Sequence, residues 1–163
     1  MQTEQLLYNE NCIFYRKTGS GPVVMLLHGF GEDGEIWKEQ YNIFPGYTLL
    51  VPDLPGSGRS EAVEEMSMEG LAAVVKAIID KEGGEAILIG HSMGGYITLA
   101  VVEKYPALLK GFGLFHSSAF ADSEEKKETR QKGIRFIQEH SATEFLRTAT
   151  PNLYAPSTRE RHP

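Results

Sequence analysis

The sequence predicts an α/β fold with a mostly parallel sheet and helices on both faces, and two observations lead there. The apolar stretches Val23–Leu27, Tyr47–Val51, Ala86–Ile89 and Phe112–Phe115 are continuous rather than alternating, the pattern of strands covered on both sides. Segments of helical periodicity separate or follow them, and strands alternating with helices assemble into a parallel sheet packed between helical layers.

Taken in order, Ile13-Phe14-Tyr15 is a short β-type stretch that leads into the turn signal Thr18-Gly19-Ser20-Gly21-Pro22. The strand from Val23 stops at His28-Gly29, the strand from Tyr47 at Pro52-Asp53 and the strand from Ala86 at Gly90. Before that third apolar run, Leu71, Val74, Val75, Ile78 and Ile79 share one helical face, with Ser67 as N-cap, Glu69 in the first turn and Gly83 past the end. A second helix is expected after Ser92, with Ile97, Ala100 and Val101 inward and Pro106 as its stop. From Asp122 the chain turns into a charged helix with a sparse apolar face of Ile134 and Ile137, so residues 1–121 are read as a core and 122–163 as the start of a helical lid.

Composition narrows the function classes. Sixteen Lys and Arg against 22 Asp and Glu give a net charge of −6, which disfavours nucleic acid and anionic membrane surfaces as partners. The N-terminal segment lacks the basic start and apolar run of a leader, and no apolar run approaches a membrane span. A soluble, cytoplasmic protein is therefore expected. The single cysteine, Cys12, has no intramolecular partner and reads as a packed strand residue; no Cys/His spacing suggests a metal.

The chemistry concentrates at Gly90-His91-Ser92-Met93-Gly94, which lies between an apolar strand and a helix. That context gives G-x-S-x-G its meaning: a sharp strand-to-helix turn exposes the serine hydroxyl at the carboxyl end of the sheet, and the glycines leave room for it. Ser92 is the candidate nucleophile. The helix N-terminus beneath it favours an oxyanion, with the Met93 backbone N–H as one donor. A second donor, the Phe30 N–H, is expected from His28-Gly29-Phe30-Gly31 after the first apolar strand. His28, His91 and His116 are candidates for lining the pocket, and His28 is expected to fix its loop by hydrogen bonds rather than act as a base.

Three segments in this order, His28-Gly29-Phe30-Gly31, then Val51-Pro52-Asp53-Leu54-Pro55-Gly56-Ser57-Gly58-Arg59-Ser60, then Gly90-His91-Ser92-Met93-Gly94-Gly95, resemble the α/β-hydrolase superfamily, in its lipase, esterase and acyl-transferring branch. A dinucleotide site at Gly56-x-Gly58 is ruled out because no third glycine follows and no helix opens there. Serine rather than aspartate at the elbow argues against haloalkane dehalogenases and epoxide hydrolases. The resemblance implies that Asp53 and its neighbouring glycines are mainly structural. It also implies an acid and a histidine that follow the serine in chain order. Neither is recognised here, so the chain is expected to stop within the lid, with both groups supplied beyond residue 163. Among local substitutes, His116 is read as pocket lining, Asp122 with Glu125 as a helix capping box, and His140 and His162 as solvent-exposed.

The expected function is hydrolysis of a small ester, thioester or amide through an acyl-serine, with a small-molecule acyl substrate and no metal or organic cofactor. Cleavage of a carbon–carbon bond in a diketone would use the same serine. The alternative is a non-catalytic half-domain that keeps the elbow only as architecture. In either case a complementary C-terminal segment or a second copy is expected to cover the open edge of the sheet.

Overall fold

The computed structural model describes residues 1–161; His162 and its expected exposure lie outside the described residues. The chain divides into two compact units, Met1–Ala119 and a second one beginning at Phe120.

The first unit is a six-stranded sheet of order β1-β2-β4-β3-β5-β6, with β1 Gln2–Tyr8, β2 Asn11–Gly19, β3 Val23–Leu27, β4 Thr48–Pro52, β5 Ala86–His91 and β6 Leu109–Phe115. The run β4, β3, β5, β6 is parallel, and the β1–β2 hairpin joins it antiparallel through β2 and β4. Every residue of β3 and β4 is buried, which is what their unbroken apolar sequences dictate. β1 went unrecognised because its sequence, QTEQLLY, is polar at the start and none of its residues is fully buried. It is held by pairing with β2 across a two-residue turn in which Asn9 and Glu10 both have positive φ, 44° and 68°, as the twist of a tight hairpin requires.

Helix α1 (Met68–Lys81) buries Leu71, Val74, Val75, Ile78 and Ile79, and its N-cap Ser67 accepts the Gly70 N–H. Helix α2 (Met93–Lys104) buries Ile97, Ala100 and Val101. Both helices pack into one core with Ile13, Tyr15, Met25, Leu27, Leu50 and Leu88, on one face of the sheet. The opposite face, carrying Val24, Leu26, Leu49 and Val51, is covered in this unit by Trp37, Tyr41 and Phe44, from or just beyond the 3-10 segment Gly34–Gln40. The two faces are thus covered unequally, by two full helices and by a single irregular segment.

The loop after β4 is organised by Asp53, which is 1% exposed. Its Oδ1 accepts from Arg16 Nη1 at 2.6 Å and from Gly34 N at 2.9 Å, and its Oδ2 accepts from Arg59 N at 3.0 Å. Burial alone opposes ionisation of this carboxyl, but the hydrogen bonds from Arg16 and the two backbone amides outweigh it and hold Asp53 below the usual carboxylate range.

In the second unit, α3 (Glu124–Glu139) and α4 (Ala142–Ala149) bury no residue fully. Phe136 lies 4.5 Å from the His140 ring and 6.3 Å from the Phe145 ring, between centroids. The N-cap of α3 is Ser123, whose hydroxyl accepts the Lys126 N–H. Asp122 instead pairs with Arg130, and that bond holds its carboxyl below its ordinary value. The cap therefore falls one residue later than expected and is a single serine cap rather than a capping box, since Lys126 holds the third helical position, while the Asp122 carboxylate finds a cation two turns along the helix. A 3-10 segment, Thr150–Leu153, and a short helix α5, Pro156–Arg161, follow. No described helix is long and apolar enough to cross a membrane.

Because Asp53 is more acidic folded than unfolded, its contribution to stability is complete above the unfolded carboxyl value near pH 4 and is lost as pH falls through the lower folded value. Asp53→Asn is expected to reduce stability by about 3 kcal/mol at pH 7, since Arg16 loses a buried partner. Urea denaturation should show that deficit shrinking as pH drops below about 4.

Candidate active site

Strand β5 ends in a turn that the sequence makes unusually tight. Ser92 has φ 50° and ψ −115°, a conformation costly for a residue with a side chain. A Cβ on Gly90 would lie 2.2 Å from the Gly94 carbonyl oxygen, and one on Gly94 would lie 2.7 Å from the His28 carbonyl oxygen. Both glycines are thus required by close backbone approach, the first within the turn and the second against the end of β3. Gly95 meets a third neighbour: a Cβ there would fall 2.2 Å from Ser117 Oγ.

The turn is clamped from β6 and the loop that follows it. Ser92 N donates to the Phe115 carbonyl at 3.0 Å, and the Ser92 carbonyl accepts from Ser117 Oγ at 2.8 Å and from Gly95 N at 3.0 Å. A serine at a helix start ordinarily caps the helix with its hydroxyl. Ser92 occupies the N-cap position of α2 but makes no side-chain capping bond, so its hydroxyl is not committed to the helix it precedes.

The loop after β3 lies against this turn because Leu27 pairs in register with Gly90. Gly29 is so close that an added Cβ would sit 3.1 Å from Ser92 Cβ and 3.2 Å from His91 Nδ1. His28 is fully buried; its Nε2 accepts from Leu54 N at 2.9 Å, which leaves Nδ1 as the donor to the Gly29 carbonyl at 2.8 Å. Both ring nitrogens are occupied in joining the loops after β3 and β4. Burial pushes the imidazole below its usual value, keeping it neutral.

The other two histidines join an aromatic group beside the serine. His91 packs at 5.9 Å from Phe115 and edge-on at 6.3 Å from Trp37, and His116 packs edge-on at 4.7 Å from Phe115 and 6.4 Å from His91, between centroids. His91 Nδ1 lies 2.9 Å from Glu32 Oε2. His116 has a positive φ of 45° immediately after β6, the bend that returns the chain to place Ser117 on the elbow. The structure therefore brings Ser92, Met93, Gly29-Phe30, His91 and His116 to one end of the parallel strands. His140 closes α3 in the second unit and is exposed. Among the described residues no group of three or more His, Cys, Asp or Glu side chains is placed to hold a metal ion.

Two participants were missed in the sequence. Ser117 is an ordinary loop serine, and its only trace is the extra glycine, Gly95, that makes room for its hydroxyl. Glu32 lies three residues after Gly29, within a short acidic run, and nothing in that run singles it out.

The strain at Ser92 gives a measurable signature. Ser92→Ala keeps the costly backbone angles, whereas glycine adopts them freely. Ser92→Gly is expected to be more stable than Ser92→Ala by about 1–2 kcal/mol in urea unfolding, opposite to the usual order of these residues at an ordinary position.

The alpha/beta hydrolase fold family model matches residues 22–157. A 2-hydroxy-6-oxo-6-phenylhexa-2,4-dienoate hydrolase of Comamonas testosteroni is 37% identical over 122 residues, 67% of this chain and 43% of the relative. An AB hydrolase superfamily protein of Gibberella zeae is 31% identical over 134 residues, 72% of this chain and 47% of the relative. Among solved structures, a thermophilic esterase from Thermogutta terrifontis superposes with a TM-score of 0.84 at 29% identity, covering 100% of this chain and 63% of the esterase. The chain spans about half the length of the curated relatives it matches. With the family match covering both motif loops and the elbow, the chain belongs to the alpha/beta hydrolase fold family.

Proposed function

We propose that the protein is a serine hydrolase acting on a small ester, thioester or amide through an acyl-serine intermediate. The observation that carries this reading is the geometry of Ser92: a strained turn between a strand and a helix, glycines on both sides, and a hydroxyl that does not cap α2. A structural serine at this position would have no need of the strain.

In this mechanism Ser92 Oγ attacks the substrate carbonyl carbon and its proton passes to a histidine supplied, with its partner acid, from sequence beyond residue 163. The carbonyl oxygen becomes an oxyanion facing the Met93 and Phe30 N–H groups. Collapse of the tetrahedral intermediate expels the leaving group, which takes the proton from the histidine and leaves an acyl-serine. Water then attacks the acyl carbon by the same route in reverse, releasing the acid and restoring Ser92. His28 is excluded as the base because both its nitrogens are bonded within the loops. The β6 edge, with Phe112 and Phe115 about half exposed, is the place where a complementary C-terminal segment or a second copy would continue the sheet.

A second reading is favoured by one specific observation, the name of the 37%-identical Comamonas testosteroni relative. Hydrolysis of a carbon–carbon bond in a dicarbonyl compound would use the same serine. The two are separated by offering the protein p-nitrophenyl butyrate and 2-hydroxy-6-oxo-6-phenylhexa-2,4-dienoate side by side and comparing kcat/KM.

Incubation with a fluorophosphonate probe is expected to add one phosphonyl group at Ser92, located by peptide mass spectrometry. Ser92→Ala should abolish labelling and lower ester kcat by at least about 10⁴-fold. A full-length wild-type protein, carrying the segment proposed to supply the histidine and acid, that is folded and unlabelled would overturn the serine-hydrolase reading.

A further inference from the structure

We propose that Glu32 is a positioning residue whose single carboxylate oxygen ties the loop bearing one oxyanion donor to the turn bearing the nucleophile. The inference rests on the serine-hydrolase reading above and assigns a role to a residue that the three motifs leave out.

Glu32 Oε2 lies 2.7 Å from Gly29 N and 2.9 Å from His91 Nδ1. A carboxylate oxygen accepts, so the Gly29 N–H donates to it and His91 must carry its proton on Nδ1 to donate as well. The two donors come from different segments, one following β3 and the other ending β5. Gly29 immediately precedes Phe30, and His91 immediately precedes Ser92. One atom therefore holds the neighbour of each group that must act on the same carbonyl.

The surroundings leave this bridge little freedom. A Cβ on Gly29 would stand 2.9 Å from Glu32 Oε2, 3.1 Å from Ser92 Cβ and 3.2 Å from His91 Nδ1, so these groups converge on a space too small for a methyl. The His91 ring is fixed on its other sides by Trp37, Phe115 and His116. The Glu32 and His91 side chains are 26% and 19% exposed, shielded enough for charge-assisted hydrogen bonds to exceed the small value of a surface pair. The strand pairing between β3 and β5 ends at Leu27 and Gly90. Beyond that point the parallel ladder no longer sets the distance between the two segments. An oxyanion donor works only within a few tenths of an ångström of its place, and a displacement near 1 Å costs on the order of 100-fold in rate.

The test compares the full-length wild-type protein with Glu32→Ala, Glu32→Gln and Glu32→Asp. Glutamine keeps an oxygen at the same reach that accepts both N–H groups; aspartate keeps the charge but is one methylene too short. With p-nitrophenyl butyrate, Glu32→Ala and Glu32→Asp are expected to lower kcat by roughly 10- to 100-fold with KM changed less than about threefold, and Glu32→Gln to stay within about fivefold of wild type. In ¹H–¹⁵N spectra the Gly29, Phe30 and Met93 amide signals should move together in Glu32→Ala and Glu32→Asp and stay near wild type in Glu32→Gln. If Glu32→Ala does not fold, Glu32→Asp carries both measurements. Equal losses in all three variants, or losses confined to KM, would overturn the proposal. If the wild-type protein takes up no fluorophosphonate, the hydrolase reading fails on its own, and the amide signals alone decide the bridge: concerted movement upholds it, and Met93 unmoved while Gly29 shifts overturns it.

Discussion

Everything at this site depends on one backbone conformation, the turn at Ser92. A residue with a side chain at φ 50° is held there only by surroundings that over-determine it, and these come from the turn itself, from β6 and its following loop, and from α2. Gly90 and Gly94 let the chain pass within contact of itself and of the end of β3. The Phe115 carbonyl and the Ser117 hydroxyl grip the serine's own amide and carbonyl. The first turn of α2 closes on the same carbonyl through Gly95. The serine so held stands at the N-cap of α2 with its hydroxyl making no capping bond to that helix.

Around the turn, polar residues buried at the ends of β3 and β4 do the work of holding loops that have no ladder to hold them. His28 links the two loops through both ring nitrogens and is kept neutral by its burial. Asp53 draws Arg16 of β2, the amide of Gly34 and the amide of Arg59 onto one carboxylate. Each of these groups would be expensive to bury alone; together they satisfy one another. Both residues thus serve the loops, as their sequence context suggested: His28 joins the segments after β3 and β4, and Asp53 holds the loop after β4.

Fold and chemistry are related here through the sheet. Parallel strands place all their carboxyl ends on one side, so the loops after β3, β5 and β6 converge although they are far apart in the chain. Family membership accounts for that convergence. Strand β6 forms one edge of the sheet, with Phe112 and Phe115 about half exposed.

The sequence by itself determined the apolar strands, the two amphipathic helices and the elbow, because each is a local pattern: continuous burial, a 3.6-residue period, or a small residue at a tight turn. It therefore located Ser92 and the loop at Phe30 and identified the family. It passed over β1, a polar edge strand whose stability lies in its pairing rather than its composition, and put the cap of α3 on Asp122 where Ser123 supplies it. Only the tertiary structure decided which polar residues meet. Glu32 with His91, Arg16 with Asp53 and Ser117 with Ser92 are joined across 59, 37 and 25 positions. A hydrogen bond depends on distance and angle between side chains that the sheet brings together, and neither is written in the local order of residues.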